Sequence, residues 1–142
     1  MATFFTVLDT YKAYVPDGAD PGNEPDEKGI AGTVTFTPSV SETHIDIGGG
    51  VTQTVRLEPI VGRFNEPDGV LSTLDDTPGV KLLAGSATEG DPLYGLTYKV
   101  EFTDVVYNKK RNQIIDPFRF VAPTTAVIIR LSDPVQTPRV DL

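Results

Sequence analysis

The single histidine of this chain, His44, stands in SETHIDIGG between Glu42 and Asp46. Imidazole titrates nearest neutrality of all side chains, and a carboxylate beside it is the simplest general-base or metal-ligating arrangement. Residues two apart on a strand share a face, so His44 and Asp46 can approach one ion together. Two such ligands make a weak site, and an exposed histidine on an edge strand accounts for the same residues. Asp75 and Asp76 form an adjacent carboxylate pair, but they lie in DDTPG, where Asp caps its own backbone in a turn. No phosphate-cradling loop, dinucleotide fingerprint or nucleophile elbow appears. Gly48, Gly49 and Gly50 lack the following helix that would make them a phosphate cradle. With no cysteine in the chain, thiol chemistry and thiolate-bound metals are excluded. The residues therefore predict no catalytic group, no cofactor site and no metal site: the chain does not read as an enzyme.

Charge is distributed more informatively. Asp17, Asp20, Glu24, Asp26 and Glu27 crowd one segment, and Lys109, Lys110 and Arg111 form the one basic cluster. The acidic run offers hard oxygen ligands, yet its spacing departs from the EF-hand loop and two interior prolines restrict how it wraps an ion. It reads as a solvated segment. Three like charges at a hairpin tip ordinarily keep a turn in water. In a chain of net charge −8 they also suit an acidic neighbour, including the acidic segment of another copy. That charge argues against nucleic-acid binding, which rests on phosphate neutralisation by Lys and Arg. No apolar run approaches the roughly 20 residues of a membrane span, and the opening MATFFTVLDTYK has no basic n-region of a secretory signal. Without tryptophan, a sugar-stacking platform would need exposed Tyr11, Tyr14 or Tyr94; Tyr98 and Tyr107 read as strand residues.

The elements that carry these groups are strands. In residues 32–38, GTVTFTP, Val34 and Phe36 fall on one face and Thr33, Thr35 and Thr37 on the other. In 96–105, LTYKVEFTDV, Leu96, Tyr98, Val100 and Phe102 alternate with Thr97, Lys99, Glu101 and Thr103. Period-two alternation of this kind marks half-buried strands. Further strands are expected at 4–8, 11–15, 44–47, 51–57, 60–64, 70–74, 80–83, 113–115, 118–121 and 126–131. NEPDG, DDTPG and NKKRN supply turns between them. Residues 15–31 hold three prolines and five acids with almost nothing to bury, so a long acidic loop is expected there. A Pro-containing tail is expected at 132–142. At 142 residues the whole, 1–142, reads as one all-β domain. The expected fold is an antiparallel β-sandwich, immunoglobulin-like or a related Greek key, of eight or nine short strands.

Three stretches, in order, carry a resemblance. They are GTVTFTPS (32–39), GVLSTLDDTPGVKLLAG (69–85), and LTYKVEF (96–102) with the return strand DPFRFVAP (116–123). Together they resemble a module of minor tail proteins of actinobacterial siphophages, such as mycobacteriophages. The resemblance implies a non-enzymatic structural protein of the virion, made in the bacterial cytoplasm and displayed on the phage tail. It also implies many copies or a homo-oligomer, contacts with other tail proteins, and assembly or host contact at the tail tip. A receptor- or carbohydrate-binding module and a capsid decoration protein are the alternatives. The acidic insertion before Gly32, and an ending soon after the module, depart from the pattern and favour a small accessory subunit.

Overall fold

The computed structural model describes residues 3–15, 26–48, 50–65, 69–75, 77–107, 110–113, 115–131 and 139–140. Among them are fourteen strand segments and no helix. In chain order they are β1 (Phe4–Leu8), β2 (Lys12–Val15), β3 (Asp26–Gly29), β4 (Ala31–Pro38), β5 (Glu42–Gly48), β6 (Val51–Arg56) and β7 (Ile60–Asn65). There follow β8 (Val70–Thr73), β9 (Val80–Leu83), β10 (Thr97–Tyr107), β11 (Lys110–Gln113), β12 (Phe118–Val121), β13 (Ile128–Arg130) and β14 (Arg139–Val140). These are more and shorter segments than the eight or nine expected.

The two alternating runs sit side by side at the centre. Val34 and Phe36 of β4 are fully buried while Thr33, Thr35 and Thr37 keep partial contact with solvent. On β10, Tyr98 and Val100 are buried and Glu101 and Thr103 exposed. The strands pair antiparallel, with Val100 opposite Phe36 and Phe102 opposite Val34, so the apolar residues of both line one face. The larger sheet runs β14-β12-β10-β4-β7-β8, with β11 also on β10, and every pairing in it is antiparallel.

A smaller sheet, β13-β1-β9, turns Phe5, Val7, Val80, Leu82 and Ile129 into the same core. Phe5 meets Tyr98 and Phe120 of the larger sheet edge-on, at ring-centre distances of 5.9 and 6.3 Å. The Tyr98 hydroxyl crosses between the sheets and donates to the Leu83 carbonyl at 2.8 Å. One pairing breaks the expected antiparallel rule: β13 lies parallel to β1. The cause is where β12 ends. Val121 finishes opposite Thr97, and Gly85 N–H bonds Pro123 O beside the Ala84 N–H to Thr3 O bond. The chain thus enters the small sheet at the end where β1 begins, and runs the same way.

The edges of the larger sheet are closed by its own chain. Leu71 of β8 donates to Asp9 O, and Gly79 N–H to Leu71 O, both at 2.9 Å. On the opposite edge β14 pairs with β12. Closing edges in this way removes the unpaired N–H and C=O rows that invite aggregation. The expected tail at 132–142 is therefore only partly a tail, because Arg139 and Val140 return to the sheet. The expected acidic loop is also shorter, since Asp26–Gly29 pairs antiparallel with Lys12–Val15. The residue spacing hid both, because neither DEKG nor RV carries an apolar alternation. In the turn after β8 the cap also differs from expectation. Thr73 Oγ1 accepts from Asp75 N–H and Thr77 N–H at 3.3 and 3.2 Å, so the threonine hydroxyl does the work assigned to Asp75; Asp76 lies outside the described residues.

Two backbone positions are demanding. Gly69 has φ +69°, and a Cβ there would collide with the Tyr11 carbonyl, which accepts from Ile30 N–H. Asp104 has φ 54° at the bulge where the β4 register slips between Thr103 and Val106. A left-handed conformation suits glycine and is costly for other residues. Gly69→Ala is expected to lower unfolding free energy by about 2 kcal/mol or more. Asp104→Gly is expected to hold it within about 1 kcal/mol of the parent or raise it. Urea titration of both variants checks the pair; an unchanged midpoint for Gly69→Ala would contradict the close approach at Tyr11.

Candidate interaction surfaces

The strand directions give the molecule two distinct ends. At one end β3 passes through Ile30 into β4, and the first residues of β4 pair with the last of β10, Gly32 lying against Thr103 and Val105 and Ala31 opposite Val106. The β2–β3 ribbon and the β10–β11 hairpin therefore leave the same end of the fold. The base of the ribbon is tied down: Tyr11 N–H bonds Gly69 O at 2.8 Å and Ile30 N–H bonds Tyr11 O at 2.9 Å.

This topology gathers the two charged stretches read from sequence. Asp26 and Glu27 lie in β3 opposite Val15 and Tyr14; Asp17, Asp20 and Glu24 lie outside the described residues. Lys110 and Arg111 belong to β11, Lys110 opposite Tyr107, and Lys109 lies outside the described residues. The basic residues thus extend along a return strand rather than sitting only at a tip. The pairing of Tyr107 with Lys110 makes the tip shorter than the NKKRN turn read from the sequence.

Behind this end lies a cluster that residue spacing did not suggest. Asp9, buried, accepts from Thr10 N–H through Oδ1 at 2.8 Å, and its charge acts on the Tyr11 hydroxyl. Tyr11, expected as an exposed platform, instead packs its ring on Phe64 and Phe102 at 4.4 and 5.6 Å. Burial, reinforced by the Asp9 charge, pushes its hydroxyl well above the usual tyrosine range, while Arg139 pulls the other way. Burial likewise raises Tyr98. Arg139 arrives from β14, lays its guanidinium 3.7 Å from the centre of the Phe118 ring and donates from Nη2 to Leu131 O at 2.7 Å. Asp9, Tyr11, Phe118, Leu131 and Arg139 are too scattered along the chain for any local pattern to announce them.

At the other end, residues 86–95 fold on themselves. Ser86 N–H bonds Leu93 O at 3.0 Å, Tyr94 N–H bonds Asp91 O at 2.9 Å, and Leu93 N–H bonds Asp91 Oδ1 at 2.9 Å. A loop closed by its own hydrogen bonds presents its side chains in a defined arrangement, and Tyr94 stands 51% exposed on it. Tyr14 lies in β2. His44 is exposed on β5, as expected for a strand residue, with its Nδ1 3.1 Å from Thr54 Oγ1 on β6. Among the described residues no group of three or more His, Asp or Glu is placed to hold a metal ion, and no helix is long and apolar enough to cross a membrane.

Compared with known proteins, the chain matches no family model, no curated protein and no solved structure.

The buried tyrosines make stability depend on pH at the alkaline limit. Their hydroxyls hold protons in the folded state at pH values where an unfolded tyrosine, near pH 10, has lost its own. Their contribution is complete below pH 10 and is lost as pH rises beyond it. Urea midpoints are expected to hold to about pH 10 and then fall steeply, and Tyr11→Phe with Tyr98→Phe is expected to flatten that fall. An alkaline slope identical in the double variant would remove the tyrosines as its cause.

Proposed function

We propose that this chain is a non-enzymatic structural subunit of a phage virion, most simply a minor tail protein that acts through its surfaces in tail or tail-tip assembly. On this reading the two packed sheets are a sandwich of the immunoglobulin-like or Greek-key kind, antiparallel apart from the β1–β13 pairing, and the ribbons are its contact devices. The observation that carries the reading is that the β2–β3 ribbon, which includes Asp26 and Glu27, and the β10–β11 hairpin, which includes Lys110 and Arg111, leave the same end of the fold. A body that projects two two-stranded ribbons bearing charged residues from one end suits docking to neighbours. Charge complementarity across such contacts sets register and partner choice. The ordered resemblance of residues 32–39, 69–85 and 96–123 to tail modules supports the tail as the place.

Exposed Tyr94, on its self-bonded loop at the opposite end, favours a second reading: a receptor- or carbohydrate-recognising face. An aromatic ring held in a fixed loop offers contact area at little entropic cost. The two readings are compatible in one subunit, since they use opposite ends. A capsid decoration protein would share the fold and differ in its place on the particle.

Cryo-electron microscopy of purified virions is the direct test. The expected result is density for many copies of this fold on the tail, with the β2–β3 ribbon and β10–β11 hairpin at contacts between subunits. Density on the head would establish decoration instead, and absence of the protein from virions would end the structural reading. Binding to host cell-wall glycans that falls at least about tenfold in Tyr94→Ala, the loss of a stacking aromatic, would establish the recognition face.

A further inference from the structure

The two sheets present opposite kinds of outer face. On the larger sheet the outward positions hold Thr33, Thr35 and Thr37 of β4 and, on β10, Lys99 and Glu101, whose charges stand 4.0 Å apart. That face is dressed for water. On the smaller sheet Phe5, Val7, Val80, Leu82 and Ile129 point into the core, so the alternate positions point out. Phe4 is 51% and Ile128 62% exposed there, and Leu8 is half-buried. Thr6 lies opposite Lys81 on one side and Ile128 on the other, and Leu8 lies opposite Arg130. The result is an apolar centre with a cation on each outer strand.

The charge of this face is out of keeping with the chain. FFTVL, VKLL and IIR hold Lys81 and Arg130 and no carboxylate, in a chain with 20 acidic and 12 basic residues. Its complement is a surface both apolar and acidic. The same chain carries one at the border of the face. The turn between β8 and β9 presents Leu74, 57% exposed, followed by exposed Asp75. The turn is capped by the Thr73 hydroxyl, which leaves the Asp75 carboxylate for outside contacts. Gly79 ends the turn directly beneath the face: a Cβ there would stand 2.7 Å from Leu8 Cδ2 and 3.2 Å from Thr6 Cγ2.

A surface and its complement side by side on one molecule suit a two-fold axis, about which the turn of each copy meets the face of the other. An axis along β1 sets each β9 over the β13 of the second copy. Leu74 then reaches Ile128 and Asp75 reaches Arg130 of that copy, while Phe4 and Leu8 pack near the axis. An axis across the strands would set Lys81 against Lys81, which like charge opposes. An anionic lipid surface also matches apolar residues bordered by cations, but a net charge of −8 repels it.

We propose that the outer face of the β13-β1-β9 sheet is a docking surface for a second copy of this chain, joined about a two-fold axis with the Leu74–Asp75 turn of each copy seated on Ile128 and Arg130 of the other. This contact goes beyond the assembly reading above: it uses neither ribbon and is a property of the chain alone.

Sedimentation velocity of the purified full-length chain over a concentration series is the test, and a monomer–dimer equilibrium is expected. Ile128→Ser, Arg130→Glu and Asp75→Arg should each raise the dimer dissociation constant at least about tenfold, the first by losing an apolar anchor and the others by setting like charges face to face. Mixing the Arg130→Glu and Asp75→Arg chains should restore dimers to within about threefold of the parent. In the mixed dimer one contact keeps both native residues and the other has its two charges exchanged. All three positions are exposed, and recovery on mixing shows that the charge variants are folded. A chain monomeric throughout, or a dimer indifferent to all three substitutions, overturns the proposal. Failure to recover on mixing overturns the pairing of turn with face. Phosphatidylglycerol vesicles that bind a chain monomeric in solution, with binding lost in Ile128→Ser, would overturn it in favour of a lipid surface. A dimer formed by a protein absent from virions would refute the tail assignment and leave the docking surface standing.

Discussion

Phe5 stands edge-on between Tyr98 and Phe120, and the rest of the molecule is arranged to keep that contact dry. Each sheet alone would leave an apolar face in water. A three-stranded sheet and a six-strand path become stable only by covering one another. From Phe5 the rings continue without a gap. Tyr98 stacks on Phe120, Phe120 leans on Phe118, Phe118 on Phe102, and Phe102 on Phe64 and Tyr11. This chain of rings runs the length of the larger sheet's inner face. It explains why the loss of one large core ring, at about 3–5 kcal/mol, is a large fraction of a small domain's stability.

Covering the core still leaves the problem of edges, and the chain solves it with the residues that follow each core strand. After β1, Asp9 and Thr10 lie along β8. After β13, the chain returns as β14 along β12. These edge-covering pieces carry Asp9 to the β8 edge and lay Arg139 over the Phe118 ring of β12. Function, on the reading proposed, uses what this closure leaves over: ribbons that extend past the core at one end and a self-bonded loop bearing Tyr94 at the other.

The strands with a core to face were legible as they stand. Phe4–Leu8 and Val80–Leu83 form where their residues predict, and β4 and β10 bury the faces their alternation assigns. The failures share one physical character. Arg139–Val140 and Asp26–Gly29 join their neighbours through backbone pairing, which any residue type can make and no spacing records. Tyr11 looked like a surface aromatic because its partners, Phe64 and Phe102, are more than fifty residues away. Lys110 and Arg111 were read as tip residues because charge describes solvation and says little about strand extent.

By itself, then, the sequence determined which residues needed burial and at what period, because hydrophobic alternation is a local property that each strand carries independently. It determined the acidic and basic stretches and their strand or loop neighbours in the same way. Tertiary structure decided the parallel direction of β13, the return of β14, the burial of Tyr11 against Phe64 and Phe102, and the departure of the two ribbons from one end. Each of these, the shared end of the ribbons included, depends on where distant segments arrive once the sheets have packed, and the composition of a segment contains no record of its arrival.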